Sequence, residues 1–217
     1  RFGITWAPFK SGKTTLRASA GIFYDWLSQG TYEQTLRVDG FRQREENIAN
    51  PAYPLDQLDE SGALTSPTNK YLLAASLPLA RTTRFSGGVS QAVTPKISAG
   101  FTYAYTRGVD LLVGDNLNAP VLGLRPDPTF VNVIRAVPDG RMRQHAFSPN
   151  LTVNLTAPPQ AGGGKLIEWR RNLFVSVYYT LSHIDNNTDG AFSTPATNDL
   201  ALEWGPASYD VRHRVGM

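Results

Sequence analysis

Along much of the chain apolar and polar residues alternate one for one. From Thr15 to Trp26 the even positions are Leu16, Ala18, Ala20, Ile22, Tyr24 and Trp26, while the odd ones are Thr15, Arg17, Ser19, Gly21, Phe23 and Asp25. Successive side chains of a β-strand point to opposite faces, so this segment predicts a strand with one apolar face and one mostly small or polar face. A helix would need apolar residues three and four apart. The same period carries Ile97, Ala99, Phe101, Tyr103 and Tyr105, then Leu151, Val153 and Leu155, then Leu173, Val175, Val177, Tyr179 and Leu181. Fainter versions run through Phe2, Ile4 and Trp6, through Phe85, Gly87 and Val89, and from Tyr209 through Val211, His213 and Val215. The pattern predicts about seven strands.

The segments between them alternate as well. Pro8 to Lys13, Thr94 to Lys96 and Ala157 to Lys165 are short and rich in Pro, Gly and Lys, whereas Leu27 to Ala80, Gly108 to Gly140 and His183 to Ser208 are long. Short periplasmic turns on one side and long extracellular loops on the other mark an outer-membrane barrel. A soluble sandwich has no reason to sort its loops by side. The predicted fold is therefore all-β: antiparallel up-and-down transmembrane β-barrel strands with long extracellular loops. Thr15 to Trp26 is about a dozen residues, near the ~9–11 that a tilted strand needs to cross hydrocarbon, and about twice a usual soluble strand. Tyr24, Trp26, Tyr105 and Tyr179 near loop ends, with Trp6 and Phe9 near a turn, predict aromatic girdles. On this register Leu16, Ile22, Ile97, Phe101, Leu151, Val153, Val175 and Val177 face lipid. Arg17, Ser19, Arg84, Ser86, Ser98, Thr102, Asn154 and Ser176 face the interior.

Composition changes little of this. The mean hydropathy of −0.27 is that of a soluble protein, and no stretch approaches the roughly eighteen apolar residues of a membrane-spanning helix. A barrel strand shows lipid only every second residue, so its hydropathy is diluted. Lys and Arg number 21 against 18 Asp and Glu, a net charge of +3, and the basic residues are scattered, so no nucleic-acid partner is expected. There is no cysteine, which removes disulfides and thiolate chemistry and suits an oxidising envelope compartment. Beginning at Arg1 and ending at Met217 within a strand-like pattern, the chain is expected to be a piece of a longer protein.

Few motifs carry chemistry. Ser11-Gly12-Lys13-Thr14 resembles the end of a phosphate-binding loop, but Ala7 stands where its first glycine belongs and a strand pattern follows instead of a helix, so a hairpin turn is expected. Asp185, Asn187 and Asp189, ahead of Gly190, place oxygens at alternate positions like the start of a calcium loop. The closing glutamate is missing at Ala196, so this is a weak calcium candidate in a solvated loop. His145, His183 and His213 are far apart in sequence, without metal-ligand spacing. Arg42, Arg44, Glu45 and Glu46 make a solvated charge cluster. The sequons at Asn150 and Asn154 fall in predicted strand. No catalytic constellation is present, and neither enzymatic activity nor a cofactor is expected.

The residues also carry a family likeness. The stretch Arg1-Phe2-Gly3-Ile4-Thr5-Trp6-Ala7-Pro8-Phe9, a short turn, then Thr15 to Asp25 resembles a hairpin of TonB-dependent receptors, in particular the Oar-like outer-membrane proteins. Asn116-Leu117-Asn118-Ala119-Pro120, Tyr179-Thr180-Leu181-Ser182 and Tyr209-Asp210-Val211-Arg212-His213-Arg214 are similar to further elements of that family, in the same order. The resemblance implies an N-terminal regulatory-like domain, a plug and a barrel of about 22 strands. Residues 1–217 would be part of the single barrel domain, with the plug and N-terminal domain absent. It further implies a receptor that moves a substrate, inward or outward, across the bacterial outer membrane. The implied partners are outer-membrane lipid, the rest of its barrel and plug, and a TonB-like energising protein reached through the missing part. It carries over no substrate-binding residue. A passive porin or adhesin-like barrel, or a soluble secreted β-domain with a binding or filament-forming role, would also show the alternation.

Overall fold

A computed structural model describes residues 1–39, 68–154, 174–193, 195 and 199–217, with the backbone alone at 47–48 and 65–66. In chain order the elements are β1 (Phe2–Trp6), β2 (Thr14–Asp25), α1 (Gln29–Arg37), β3 (Asn47–Ile48), β4 (Thr65–Ser66), β5 (Thr68–Leu73), β6 (Ala80–Thr94), β7 (Ile97–Asn116), β8 (Phe130–Asn154), β9 (Phe174–Asn186), β10 (Gly205–Pro206) and β11 (His213–Gly216). Each of the seven predicted strands is present. They pair antiparallel in sequence order, β1-β2-β6-β7-β8-β9-β11, within one nine-stranded sheet. The β1–β2 turn closes with Gly12 N–H donating to the Phe9 carbonyl (3.0 Å). Gly12 has φ +63°, a conformation glycine takes without a Cβ penalty. The phosphate-loop lookalike is thus a hairpin, and β2 follows it.

The connectivity puts the β1–β2 and β6–β7 turns at one end of the sheet and the β2–β6, β7–β8 and β9–β11 connections at the other. Thr94 pairs with Ile97 around a tight turn, and the Ile97–Val153 and Val153–Val175 pairings put the end of β8 beside it. The predicted β8–β9 turn, Ala157 to Lys165, lies outside the described residues, as do Leu155, Leu173, the Arg42–Glu46 cluster and Ala196.

Three expectations are corrected at the loop end. The stretch from Gly108 to Gly140 is mostly strand: β7 runs 20 residues and β8 runs 25, about twice what a membrane crossing needs. Pro138-Asp139-Gly140, at the end of that predicted loop, lies inside β8. Connectivity is also not purely antiparallel, because β5, within the long Leu27–Ala80 connection, pairs parallel with β8 from Phe130 to Ala136. The reason is an uncovered edge. β9 stops at Asn186 opposite Met142, so beyond it the β8 edge facing away from β7 loses its strand partner, and unpaired strand edges are costly to leave open. Finally, the last strand begins at His213 rather than Tyr209. Residues 208–209 form a turn closed by Asp210 N–H donating to the Ala207 carbonyl (2.9 Å).

Register sorts the side chains. Leu16 lies opposite Val89, Val89 opposite Phe101, Ala99 opposite Leu151 and Leu151 opposite Val177. Directly paired residues share a face, so the eight predicted lipid-facing residues lie on one face and the interior set on the other. On the apolar face Phe2, Ile4, Trp6, Ile22, Phe85 and Phe101 are 41–69% exposed. The polar face is not wholly polar, since Phe23, Met142, Phe174 and Tyr178 are on it. Tyr24 and Tyr105 lie near the loop end and Trp6 near the turn, as expected, but Tyr179 sits in the middle of β9 opposite Val215.

Among the described residues the buried apolar side chains are Val113, Ile134, Ala136, Val137 and Ala207, all at the loop end. There the ends of β7 and β8, β5 and residues 187–193 and 199–207 pack into a small cap, with Tyr71 edge-on to Phe192 (4.9 Å between centroids). Register shifts at Gly108–Leu111 and Leu111–Val113, with Asp110 at φ +58°, mark where β7 passes from plain sheet into the cap.

Candidate functional site

Two surfaces offer function: the polar face and the cap. The polar face is a ladder of hydroxyls and amides. Ser19 Oγ and Ser86 Oγ are 2.7 Å apart, Ser148 Oγ and Thr180 Oγ1 3.1 Å, and Thr152 Oγ1 and Ser176 Oγ 3.3 Å, while Gln144 Nε2 donates to Ser182 Oγ at 3.2 Å. Around Gly88 the small side chains leave a hollow of about 330 Å³ lined by Arg17, Ser19, Ser86 and Thr102. Close approach explains the glycines there. A Cβ at Gly88 would stand 2.8 Å from the Phe101 carbonyl oxygen, and one at Gly100 would run into the Asn150 amide.

The cap is held by Asn116 and Asn118, inside the Asn116–Pro120 segment noted in the sequence. Asn118 is 1% exposed. Its Nδ2 donates to the Asp127 and Phe130 carbonyls (both 2.8 Å), and its Oδ1 accepts from Asp127 N–H (2.8 Å). Asn116 Oδ1 accepts from the N–H groups of Asn118 (3.0 Å) and Val133 (3.2 Å). These two amides therefore close the β7–β8 loop by satisfying backbone groups that a non-repetitive segment cannot pair by itself. Asp115 and Arg135, opposite each other, form a 2.7 Å ion pair beneath that loop.

The calcium candidates are each engaged with protein. Asp185 pairs with Arg143 (3.2 Å) and with His183 Nε2 (3.0 Å). Asn187 Oδ1 accepts from Arg141 N–H (2.6 Å), and Asp189 Oδ1 from Ser208 Oγ (2.9 Å). Among the described residues no group of three His, Cys, Asp or Glu side chains could hold a metal ion. The histidines, distant in sequence, do come together. His145 lies directly opposite His183, and His213 opposite Leu181, all on the apolar face near its loop end. Tyr103 and Tyr179 hydroxyls meet the Nδ1 atoms of His145 (2.8 Å) and His213 (2.7 Å). The sequence reading missed this belt, and it missed a row of arginines just beyond it, Arg81, Arg107, Arg141 and Arg143. Their parity is that of the aromatic positions, as in Tyr103-x-Tyr105-x-Arg107, so the signal was present in the alternation.

A single-layer sheet with an exposed aliphatic and aromatic face, a hydrogen-bonded polar reverse and, among the described residues, buried apolar side chains at one end alone is the wall of a membrane β-barrel. Only a nonaqueous solvent makes that exposed face favourable. The chain belongs to the outer membrane beta barrel domain family, whose model matches residues 1–217, and it is located in the outer membrane. Its fold is similar to that of the outer membrane transporter YddB from Escherichia coli, with a TM-score of 0.55 and 14% identity, over 86% of this chain and 20% of that one. The chain thus spans about a fifth of that transporter's length. No curated protein matches the sequence.

Proposed function

We propose that this sheet is a portion of the barrel wall of a TonB-dependent receptor, in which a substrate moves along the polar face across the outer membrane. The observation that carries the reading is the cap. β7 and β8 continue well past the apolar belt, and β5 and the asparagine clasp hold their ends in a fixed arrangement, which suits capture of a ligand at the mouth of a large barrel. Two further features support it. β1 and β11 are the sheet's edges and do not pair with each other, so in hydrocarbon each must meet another strand of a larger barrel. Around Gly88 the polar face also carries small side chains, Ser19, Ser86 and Thr102, which leave a hollow along it. On this reading the chain carries out no catalysis. Its partners are outer-membrane lipid, the remaining barrel strands and plug, and, through those, an energising TonB-like protein.

The test uses the full-length protein. Reconstituted into liposomes it should give no swelling in small sugars. In cells its loss should produce the same uptake or export defect as loss of the energising protein. Porin-like swelling rates from the intact protein would refute the receptor reading and favour a passive barrel.

A further inference from the structure

The apolar face ends in a charged row that a transport path does not use. Arg81 pairs with Val109, Arg107 with Arg143, and Arg141 follows Arg143 by two positions in β8. All four guanidinium-bearing positions therefore lie on the same face as Ile22, Phe85, Phe101 and Tyr105, at its loop end. An arginine aimed at lipid is costly in the hydrocarbon but not at the headgroup level, where its long side chain reaches polar surroundings. The row marks that level.

Arg81, Arg107 and Arg141 line a cleft of about 850 Å³ together with Trp204. Residues 199–206 bring Trp204 down over the sheet, with the Arg143 guanidinium carbon 5.7 Å from its ring centroid. A tryptophan at this depth is a typical interface anchor. Below the cleft, Tyr105 continues onto the apolar face, so a molecule held by the arginines would have its lower side against the lipid-facing surface.

Three arginines line the cleft against two carboxylates, Asp110 and Asp139, so it keeps a net positive charge. Arg107 and Arg143 stand directly opposite each other, and like charges so placed repel. Asp185 neutralises Arg143 at 3.2 Å. Among the described residues no carboxylate comes within 4.0 Å of Arg81, Arg107 or Arg141, although Asp110 and Asp139 line the same cleft. Guanidinium groups match phosphate oxygens with paired N–H donors.

We propose that this cleft binds the phosphorylated headgroup of an outer-leaflet glycolipid, whose acyl chains lie down the apolar face past Tyr105 and Phe85. The site is separate from any transport path and needs only that the loop end be the cell-surface end. The phosphate oxygens supply the counter-charge that Arg81, Arg107 and Arg141 lack, and the lipid fastens the cap to the membrane plane.

The experiment compares purified full-length protein and its Arg81→Gln/Arg107→Gln/Arg141→Gln variant for binding of lipid A in mild detergent. Retained lipid is read by native mass spectrometry and by equilibrium titration. Three surface arginines contribute together roughly a hundredfold in affinity for an anionic lipid, so the triple variant should bind correspondingly more weakly. Lys10→Gln, at the opposite end of the sheet, should bind as the parent does. Lipid A stripped of its phosphates should bind the parent as weakly as the phosphorylated form binds the triple variant. Heat-modifiable migration checks that each variant is folded. If the triple variant does not fold, Arg107→Gln alone should still weaken binding several-fold. Undiminished binding by the folded arginine variants, or equal binding of dephosphorylated lipid A or phosphatidylglycerol, would overturn the proposal. Displacement by an equal concentration of inorganic pyrophosphate would do so too, by revealing a site for free anions.

Discussion

Replacing Phe101 by arginine tests which face meets lipid, because its neighbour Thr102 provides an internal control at the same height. Phe101 is 41% exposed on the apolar face, opposite Val89 on one side and Pro149 on the other. It stands between the turn at Ile97 and the charged residue Arg107, close to the middle of the belt. An arginine near the midplane of the lipid face costs about 2–4 kcal/mol, and ~3 kcal/mol is more than a hundredfold in a folding equilibrium. Thr102 is exposed on the polar face, where water or protein groups can solvate the charge, so Thr102→Arg should cost under about 1 kcal/mol. The assay is folding of the full-length protein into lipid vesicles across a urea series, scored by heat-modifiable migration. Phe101→Arg should shift the midpoint strongly and Thr102→Arg little. If Thr102→Arg proved as damaging as Phe101→Arg, or more so, the register argument would be wrong, since a slip by one residue exchanges the two faces.

Gly88→Val should destabilise the wall by about 1–3 kcal/mol through overpacking, because a Cβ there meets the Phe101 carbonyl oxygen at 2.8 Å and Thr102 Oγ1 at 2.9 Å; a lowered urea midpoint is the readout, and an unchanged one would mean the sheet yields at that point. Asn118→Ala should loosen the β7–β8 loop by about 1–3 kcal/mol, since it strips donors from the half-buried Asp127 and Phe130 carbonyls. Hydrogen exchange at the Asp127 amide should accelerate while exchange in β2 and β6 stays as it was, and equal protection in both proteins would dismiss the clasp.

The alternation of side chains located every strand of the wall, most fully where residues of both faces are distinctive, as from Leu16 to Tyr24. It underestimated β6, of which only Phe85 to Val89 stood out, because Arg81 and Thr83 occupy apolar-face positions above the belt and Gly87 and Gly88 fill the centre. It also took Pro138-Asp139-Gly140 for a loop, when β8 passes through it. Strand propensity there is poor, and pairing with β7 on one side and the cover of β5 on the other overcome it. The Asn116–Pro120 motif was visible as a likeness, but its job as a clasp was not, since the carbonyls it holds lie up to a dozen residues further along the chain.

What the sequence by itself determined is the part of the protein governed by a local period: which segments are strands, which side chains share a face, and at which end the short turns lie. A two-residue repeat set against lipid on one side leaves little choice of register. Only the tertiary structure decided the parallel insertion of β5, the apposition of His145 and His183, and the gathering of Arg81, Arg107 and Arg141 beneath Trp204. These contacts join residues separated by long connections, and loop closure weakens only slowly with length. Many partners are therefore nearly equal in entropic cost, and the choice among them falls to packing and to the strand edges left open.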